Sequence, residues 1–281
     1  MFADLHTHTT ASDGQYTPSE LVTLAKKRGL DILAITDHDT IAGVDEAAAA
    51  GEALGLHVIR GVELSAKEYH NFHILGYGFS AEPSSLSALC EKLRAGRDER
   101  KYQIIDFLNE KGVAISLNEV EEIAGGEIIA RPHFAQVMVR HGYVKDNREA
   151  FDRYLDSEEY RQRVTRFKAD ARTCVEVIKA AGGKASLAHP YQMNLPDDML
   201  DKLVGKLAGW GLDAIECFYP QYTPEQQAFY QQLVEKYHLH QTGGSDFHGE
   251  CVKPDIQLSA LEQSAKNYSQ TAERRGIMSS R

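Results

Sequence analysis

Cysteine is scarce in this sequence and never clustered. Cys90, Cys174, Cys217 and Cys251 are the only four in 281 residues, and no C-x-x-C occurs. That pattern excludes a disulfide framework and a thiolate zinc site, and it reads as reduced thiols in a cytoplasmic chain. Long apolar runs are missing as well: none approaches the ~20 residues that a membrane-spanning helix needs. Residues 1–20 lack the basic and apolar regions of a signal peptide. Positive charge is in deficit, with 31 Lys and Arg against 41 Asp and Glu, a formal charge of −10. Bulk charge therefore does not draw nucleic acid or membranes, and an anionic substrate needs locally concentrated cations. Internal repeats and low-complexity tracts are absent. What remains, 42% hydrophobic and 26% charged, is an ordinary globular composition with room for one large core plus an insertion, or for two domains.

What the chain does have is histidine in company. Asp4-Leu5-His6-Thr7-His8, closed by Asp13, opens the sequence. Side chains alternate along a strand, so His6 and His8 share a face, roughly 6.5 Å apart along the chain. Two such imidazoles make half of a metal site. An isolated H-x-H is weak, but the pattern recurs. Thr36-Asp37-His38-Asp39, Gly61-Val62-Glu63, Asn71-Phe72-His73, Leu187-Ala188-His189-Pro190 and Gly244-Ser245-Asp246-Phe247-His248 each sit at or near the end of a short apolar run. Six histidines (His6, His8, His38, His73, His189, His248) and three carboxylates (Asp13, Glu63, Asp246) exceed one tetrahedral site. They fit two or three adjacent ions bridged by a carboxylate. Asp37 and Asp39 flank a ligand, which predicts that they orient it.

The surrounding pattern alternates strand and helix. Thr17-Pro18-Ser19-Glu20 carries an N-cap, a first-turn proline and a capping box, so a helix follows and runs to Gly29. Strands are expected near 2–7, 30–36, 56–64 and 72–77, with an Ala-rich helix at 43–54. This is the signature of parallel βα units, whose sites collect at the carboxyl ends of the strands. The rhythm breaks at about residue 81. Helices at 84–111, 118–124, 132–141 and 148–155 suggest a helical insertion over 81–170. The βα pattern then resumes through strands at 184–188, 213–218 and 239–242. Residues 262–281 are polar, lack an apolar stripe and are expected to be loosely ordered.

In order along the chain, H6-x-H8, Asp13, T36-D-H38, G61-V-E63, His73, A188-H189-P190 and G244-S-D246-x-H248 resemble the motifs of the PHP (polymerase and histidinol phosphatase) superfamily. Gly96-Arg97-Asp98-Glu99-Arg100 and Arg131-Pro132-His133-Phe134 look like its branch of nucleoside-3′,5′-bisphosphate phosphatases and related 5′-3′ exoribonucleases. The resemblance implies an α/β fold, a distorted (β/α)7 barrel formed by 1–80 and 171–260, with the helical insertion as substrate cap. It also implies a site of two to three divalent ions, manganese before zinc or iron. His6, His8 and Asp246 would hold one ion and Asp13, His38 and His248 a second, while Glu63 bridges to a third held by His73 and His189. His38, Glu63, Asp246 and His248 would form the catalytic centre for in-line attack on phosphorus.

Arg97 and Arg131, with Arg100 and His133 as further candidates, would grip substrate phosphate from the insertion. Arg94, Arg97 and Arg100 at helical spacing also suit a solvated face. The branch follows His-Pro with Gly-Arg, whereas Tyr191-Gln192 follows Pro190 here, which makes Tyr191 a candidate replacement contact. The implied substrate is a small phosphorylated nucleotide such as 3′-phosphoadenosine 5′-phosphate, with short RNA beside it. No membrane and no obligate protein partner are expected. Histidinol-phosphate phosphatase or cyclic-phosphate diesterase activity is the alternative within the same chemistry. A metal-stabilised nucleotide-binding module without turnover is the alternative of another class.

Overall fold

The computed structural model describes residues 2–125 and 129–258; the tail expected at 262–281 lies outside them. Seven strands make one sheet in sequence order: β1 (Ala3–Asp4), β2 (Ile32–Ile35), β3 (His57–Ser65), β4 (His73–Tyr77), β5 (Lys184–Leu187), β6 (Ala214–Phe218) and β7 (His240–Gly243). β2 and β6 are buried along their whole length, as strands covered on both faces are. Behind β7 the sheet nearly closes into a barrel. Leu5 N donates to Gly243 O (3.2 Å), Asp246 N to His6 O (2.8 Å) and His8 N to Phe247 O (2.9 Å). Gly244 permits this seam, because a Cβ there would stand 2.3 Å from the His6 Cβ.

Helices α1 (Pro18–Lys27) and α2 (Val44–Leu54) follow β1 and β2. The Thr17 hydroxyl accepts from Glu20 N and the Glu20 carboxylate accepts from Thr17 N, the capping box expected from sequence. After β5 and β6 come α9 (Asp197–Gly209) and α10 (Pro224–Tyr237). The all-parallel expectation needs one correction. β4 runs antiparallel to both β3 and β5. Only residues 66–72 separate β3 from β4, too few for the dozen or more that a parallel crossover takes. The reversal puts the first residue of β4, His73, at the barrel end where the other strands finish.

Between β4 and β5 the chain is helical: α3 (Ser84–Glu110), α4 (Leu117–Ala124), α5 (Arg131–Arg140), α6 (Asn147–Ala150) running into a π-turn over Phe151–Leu155, α7 (Glu158–Arg163) and α8 (Ala171–Ala180). α3, about 40 Å long at 1.5 Å per residue, joins two cores. Leu86, Leu89, Cys90 and Leu93 pack into the barrel's apolar cluster, while Ile104, Phe107 and Leu108 pack into a separate one with Phe134, Met138 and Leu155. Arg97 and Arg100 fall at the junction. α7 has no counterpart in the sequence reading. Among the described residues no helix is long and apolar enough to cross a membrane.

Candidate active site

The nine predicted residues come from seven places in the chain and meet at one end of the barrel. Glu63, fully buried, is their hub. Its Oε1 lies 2.8 Å from His73 Nδ1, 2.8 Å from His189 Nε2 and 3.4 Å from His6 Nε2. Its Oε2 lies 2.7 Å from His38 Nδ1 and 3.4 Å from His8 Nε2. Asp13 Oδ1 is 3.4 Å from His248 Nε2, and Asp246 Oδ1 is 3.3 Å from His8 Nε2. The donor atoms converge in four overlapping groups, each within 4.8 Å: His8, Asp13, His38 and His248; His6, His8 and Asp246; His6, Glu63 and His189; His38, Glu63 and His73. The first two hold the residues the resemblance assigns to two ions. His73 and His189, assigned together to a third, fall in separate groups that share Glu63.

These residues fit divalent cations. His6 Nε2, both His8 nitrogens, His38 Nδ1, His189 Nδ1, Asp13 Oδ1 and Glu63 Oε2 are buried and, close as several of them stand to one another, none has a partner in hydrogen-bonding geometry among the described residues. Orphaned polar atoms in such number are costly unless a cation collects them. Protonation agrees. Burial, with His248 and His38 close by, pushes His8 well below the usual imidazole range, and burial pushes His73 down to about 3. Burial alone would raise Glu63, but His38, His73 and His6 hold it well below the usual carboxylate range. Neutral imidazole and ionised carboxylate are the ligand forms.

Several supporting residues carried no motif. Glu216, buried in β6, accepts from His6 Nδ1 (3.1 Å) and from His189 N (2.7 Å). It thereby aims the other His6 nitrogen into the cluster and pins His189 in a backbone conformation of φ 22° that non-glycine residues rarely adopt. A lone carboxylate in an otherwise apolar strand was the available signal. Asp37 and Asp39 do not orient His38, as their sequence position suggested. Asp37 accepts from Thr9 N, Thr9 Oγ1 and Ser12 Oγ, tying the loop after β1. Asp39 accepts from Ser65 N (2.7 Å), Arg97 Nε (2.7 Å) and Arg166 NH1 (3.0 Å).

A cavity of about 1170 Å³ leads from this cluster to the insertion, lined by Asp13, His38, His73, His189, Asp246 and His248 on one part and by Arg97, Arg100, Arg131, Arg166 and Lys168 on another. Arg97 is buried, which removes the solvated-face reading for it. Arg166 and Lys168 are additions. They are brought against α3 where Gly96 leaves room, since a Cβ there would sit 3.1 Å from Phe167 N. Arg131 is held by Asp156 (2.7 Å), which also accepts from His70 and Arg161. His133 accepts from Ala130 N through Nδ1 (3.1 Å), capping α5, and does not line the cavity. Tyr191 does not line it either. Its hydroxyl donates to Gln221 and its ring packs on Tyr219 and Tyr222, whereas Gln192 and Tyr219 face the cavity.

Residues 4–164, more than half of the chain, match the PHP domain family. The chain belongs to that family. A 5′-3′ exoribonuclease of Haemophilus influenzae is 37% identical over 88% of this chain and 90% of its own length. A 3′,5′-nucleoside bisphosphate phosphatase of Chromobacterium violaceum is 33% identical over 87% of this chain and 86% of its own. Among solved structures, an amidohydrolase from Chromobacterium violaceum with bound sulfate and no metal superposes with a TM-score of 0.87 at 31% identity, covering 98% of this chain and 97% of that one. This PHP protein is thus a metal-dependent phosphoric ester hydrolase, and its cluster binds divalent metal.

Proposed function

We propose that the substrate is a nucleotide carrying two phosphate groups, a nucleoside 3′,5′-bisphosphate. Its 3′-phosphate is cleaved at the histidine–carboxylate cluster while its 5′-phosphate is held by the cations of the insertion. The observation that carries this reading is an excess of buried and half-buried positive charge in the cavity away from the cluster. Arg97, Arg100, Arg131, Arg166 and Lys168 face it, and their carboxylate partners are Asp39 and Asp156, the latter shared with His70 and Arg161. Arg100 Nε and Arg166 Nε are buried without a hydrogen-bond partner among the described residues. Buried guanidiniums left short of acceptors are costly, and a phosphate dianion satisfies several at once. A monophosphate cleaved at the cluster would leave them idle.

The cluster would hold two to three divalent ions, its carboxylates suiting manganese and its imidazoles zinc or iron. Bound there, they supply an activated water and neutralise charge developing at phosphorus. The chain's own part is placement: Glu216 sets His6 and His189, Asp39 spans Ser65, Arg97 and Arg166, and the distal cations fix the far end of the substrate so that the 3′-ester reaches the cluster. A 5′-phosphorylated RNA end presents the same two groups, a terminal phosphate and the first internucleotide phosphate. The same grip therefore supports stepwise 5′-3′ trimming of short RNA.

The test is phosphate or nucleotide release by manganese-loaded protein from 3′,5′-bisphosphates, nucleoside 5′-monophosphates, and short RNAs with 5′-phosphate or 5′-hydroxyl ends. Bisphosphates and 5′-phosphorylated RNA should be strongly preferred. Indifference to the second phosphate would remove the reading.

A further inference from the structure

The two oxygens of Asp246 have different surroundings. Oδ1 faces His8 Nε2 (3.3 Å), His248 Nδ1 (3.4 Å) and His6 Nε2 (3.6 Å). Oδ2 accepts from Tyr219 OH (2.9 Å) and from Lys253 Nζ (2.7 Å). Among the described residues, this is the one lysine or arginine paired with any of the nine clustered side chains. Nor is the ammonium closed off. The Lys253 side chain keeps 34% of its surface and lines the same cavity as Asp13, His189 and His248.

The turn that carries it is fixed. Lys253 N donates to Gly249 O (2.9 Å), Ile256 N donates to Lys253 O (3.1 Å), and the Ile256 side chain is buried in the core with Phe247 and Leu258. Cys251 N is held in turn by Gln15 Oε1 (2.8 Å). An ammonium has three N–H donors and Asp246 takes one. Held at the cluster with its remaining donors open to the cavity, the Lys253 ammonium is placed to meet an anion there.

We propose that Lys253 is a catalytic residue that contacts the scissile phosphate, donating one N–H to Asp246 Oδ2 and another to a non-bridging phosphoryl oxygen. The contact rests on the phosphoesterase chemistry of the cluster and is independent of the second phosphate. It couples the substrate to the clustered carboxylate that faces three imidazoles, so that the phosphoryl group is oriented against the cluster by the protein itself.

Lys253→Met and Lys253→Arg in the manganese-loaded full chain test this. Lys253→Met should weaken binding of inorganic phosphate, measured by calorimetry. It should also lower kcat/KM about 10- to 100-fold, the worth of one charge-assisted hydrogen bond. The factor should be the same for an aryl phosphate and a 3′,5′-bisphosphate. Manganese content by elemental analysis should stay at the wild-type value, and Lys253→Arg should recover most of the loss. Manganese loss in Lys253→Met would make the residue a support of Asp246 and overturn the proposal. A deficit confined to the bisphosphate would move it to the distal grip, and unchanged phosphate binding would remove the contact; either overturns it too. If the wild type shows no preference for bisphosphates, the two-phosphate reading fails alone, because the aryl phosphate still decides the role of Lys253.

Discussion

Arg100→Met isolates the distal grip with the least damage to the fold. Arg97, Arg131 and Arg166 are each tied to a carboxylate, so removing one of them also takes a partner from Asp39 or Asp156. Arg100 has no carboxylate at ion-pairing distance among the described residues, and its Nε is buried without a hydrogen-bond partner. Burial, with Arg97 and Arg131 nearby, pushes its guanidinium down to about 10, a sign that the charge is disfavoured in the free protein yet present at neutral pH. Methionine keeps the apolar stem and removes the charge, so Tm should hold or rise. A charge-assisted hydrogen bond to phosphate is worth about 2–3 kcal/mol. At ~1.36 kcal/mol per tenfold, kcat/KM for a 3′,5′-bisphosphate should fall about 30- to 150-fold. An aryl phosphate has nothing at the distal end and should lose less than about 3-fold, below the range of one lost charge-assisted bond. Steady-state kinetics on both substrates with a thermal melt is the assay. Equal losses on both, or a lowered Tm with both, would refute the reasoning.

Three further outcomes follow from the geometry. Asp246→Asn and His8→Ala should each abolish turnover and lower bound manganese while circular dichroism stays native; near-wild-type phosphate release by either would place the chemistry elsewhere. Glu216→Gln can still accept from His6 Nδ1 but must turn an N–H toward the His189 amide. Metal affinity, by chelator competition, should weaken about 10- to 100-fold, and unchanged affinity would reduce Glu216 to a packing residue. Burial, with Arg166 beside it, pushes the Lys168 ammonium down to about 8, below the ordinary lysine value of ~10.4. The free protein therefore loses that charge as pH rises through 8, and KM for the bisphosphate should climb between about pH 7 and 9. Lys168→Met should flatten the rise. The unfolded chain keeps the proton to ~10.4, so this group makes stability increase with pH between 8 and 10.4; a decrease assigned to Lys168 would contradict the shift.

The cluster was legible because its ligands come in short motifs, where spacing alone fixes which side chains share a face. His6 and His8 on one strand end, or Asp246 and His248 on one loop, need no tertiary information. The antiparallel β4 was legible in principle, in the seven residues between Ser65 and His73, but apolar runs carry no sign of direction. Glu216 was hidden because its partner His6 is 210 residues away and its strand reads as core. Asp39 was misassigned for a related reason: adjacency to His38 in sequence suggested contact, whereas its φ of 57° turns the carboxylate toward Ser65, Arg97 and Arg166. Arg166 and Lys168 lie in an extended link between α7 and α8 that no periodicity marks, and only the packing of Phe167 on Gly96 places them in the cavity.

The most direct test compares a nucleoside 3′,5′-bisphosphate with the 3′-monophosphate of the same nucleoside on manganese-loaded wild-type protein. The two share base, ribose and scissile ester and differ only in the group that the distal cations would hold. Binding energy at a remote group that orients the ester should appear in kcat/KM. At one to two charge-assisted bonds, the bisphosphate should be favoured by at least ~30-fold. The advantage should collapse in Arg100→Met. Equal kcat/KM for the two compounds would contradict the account.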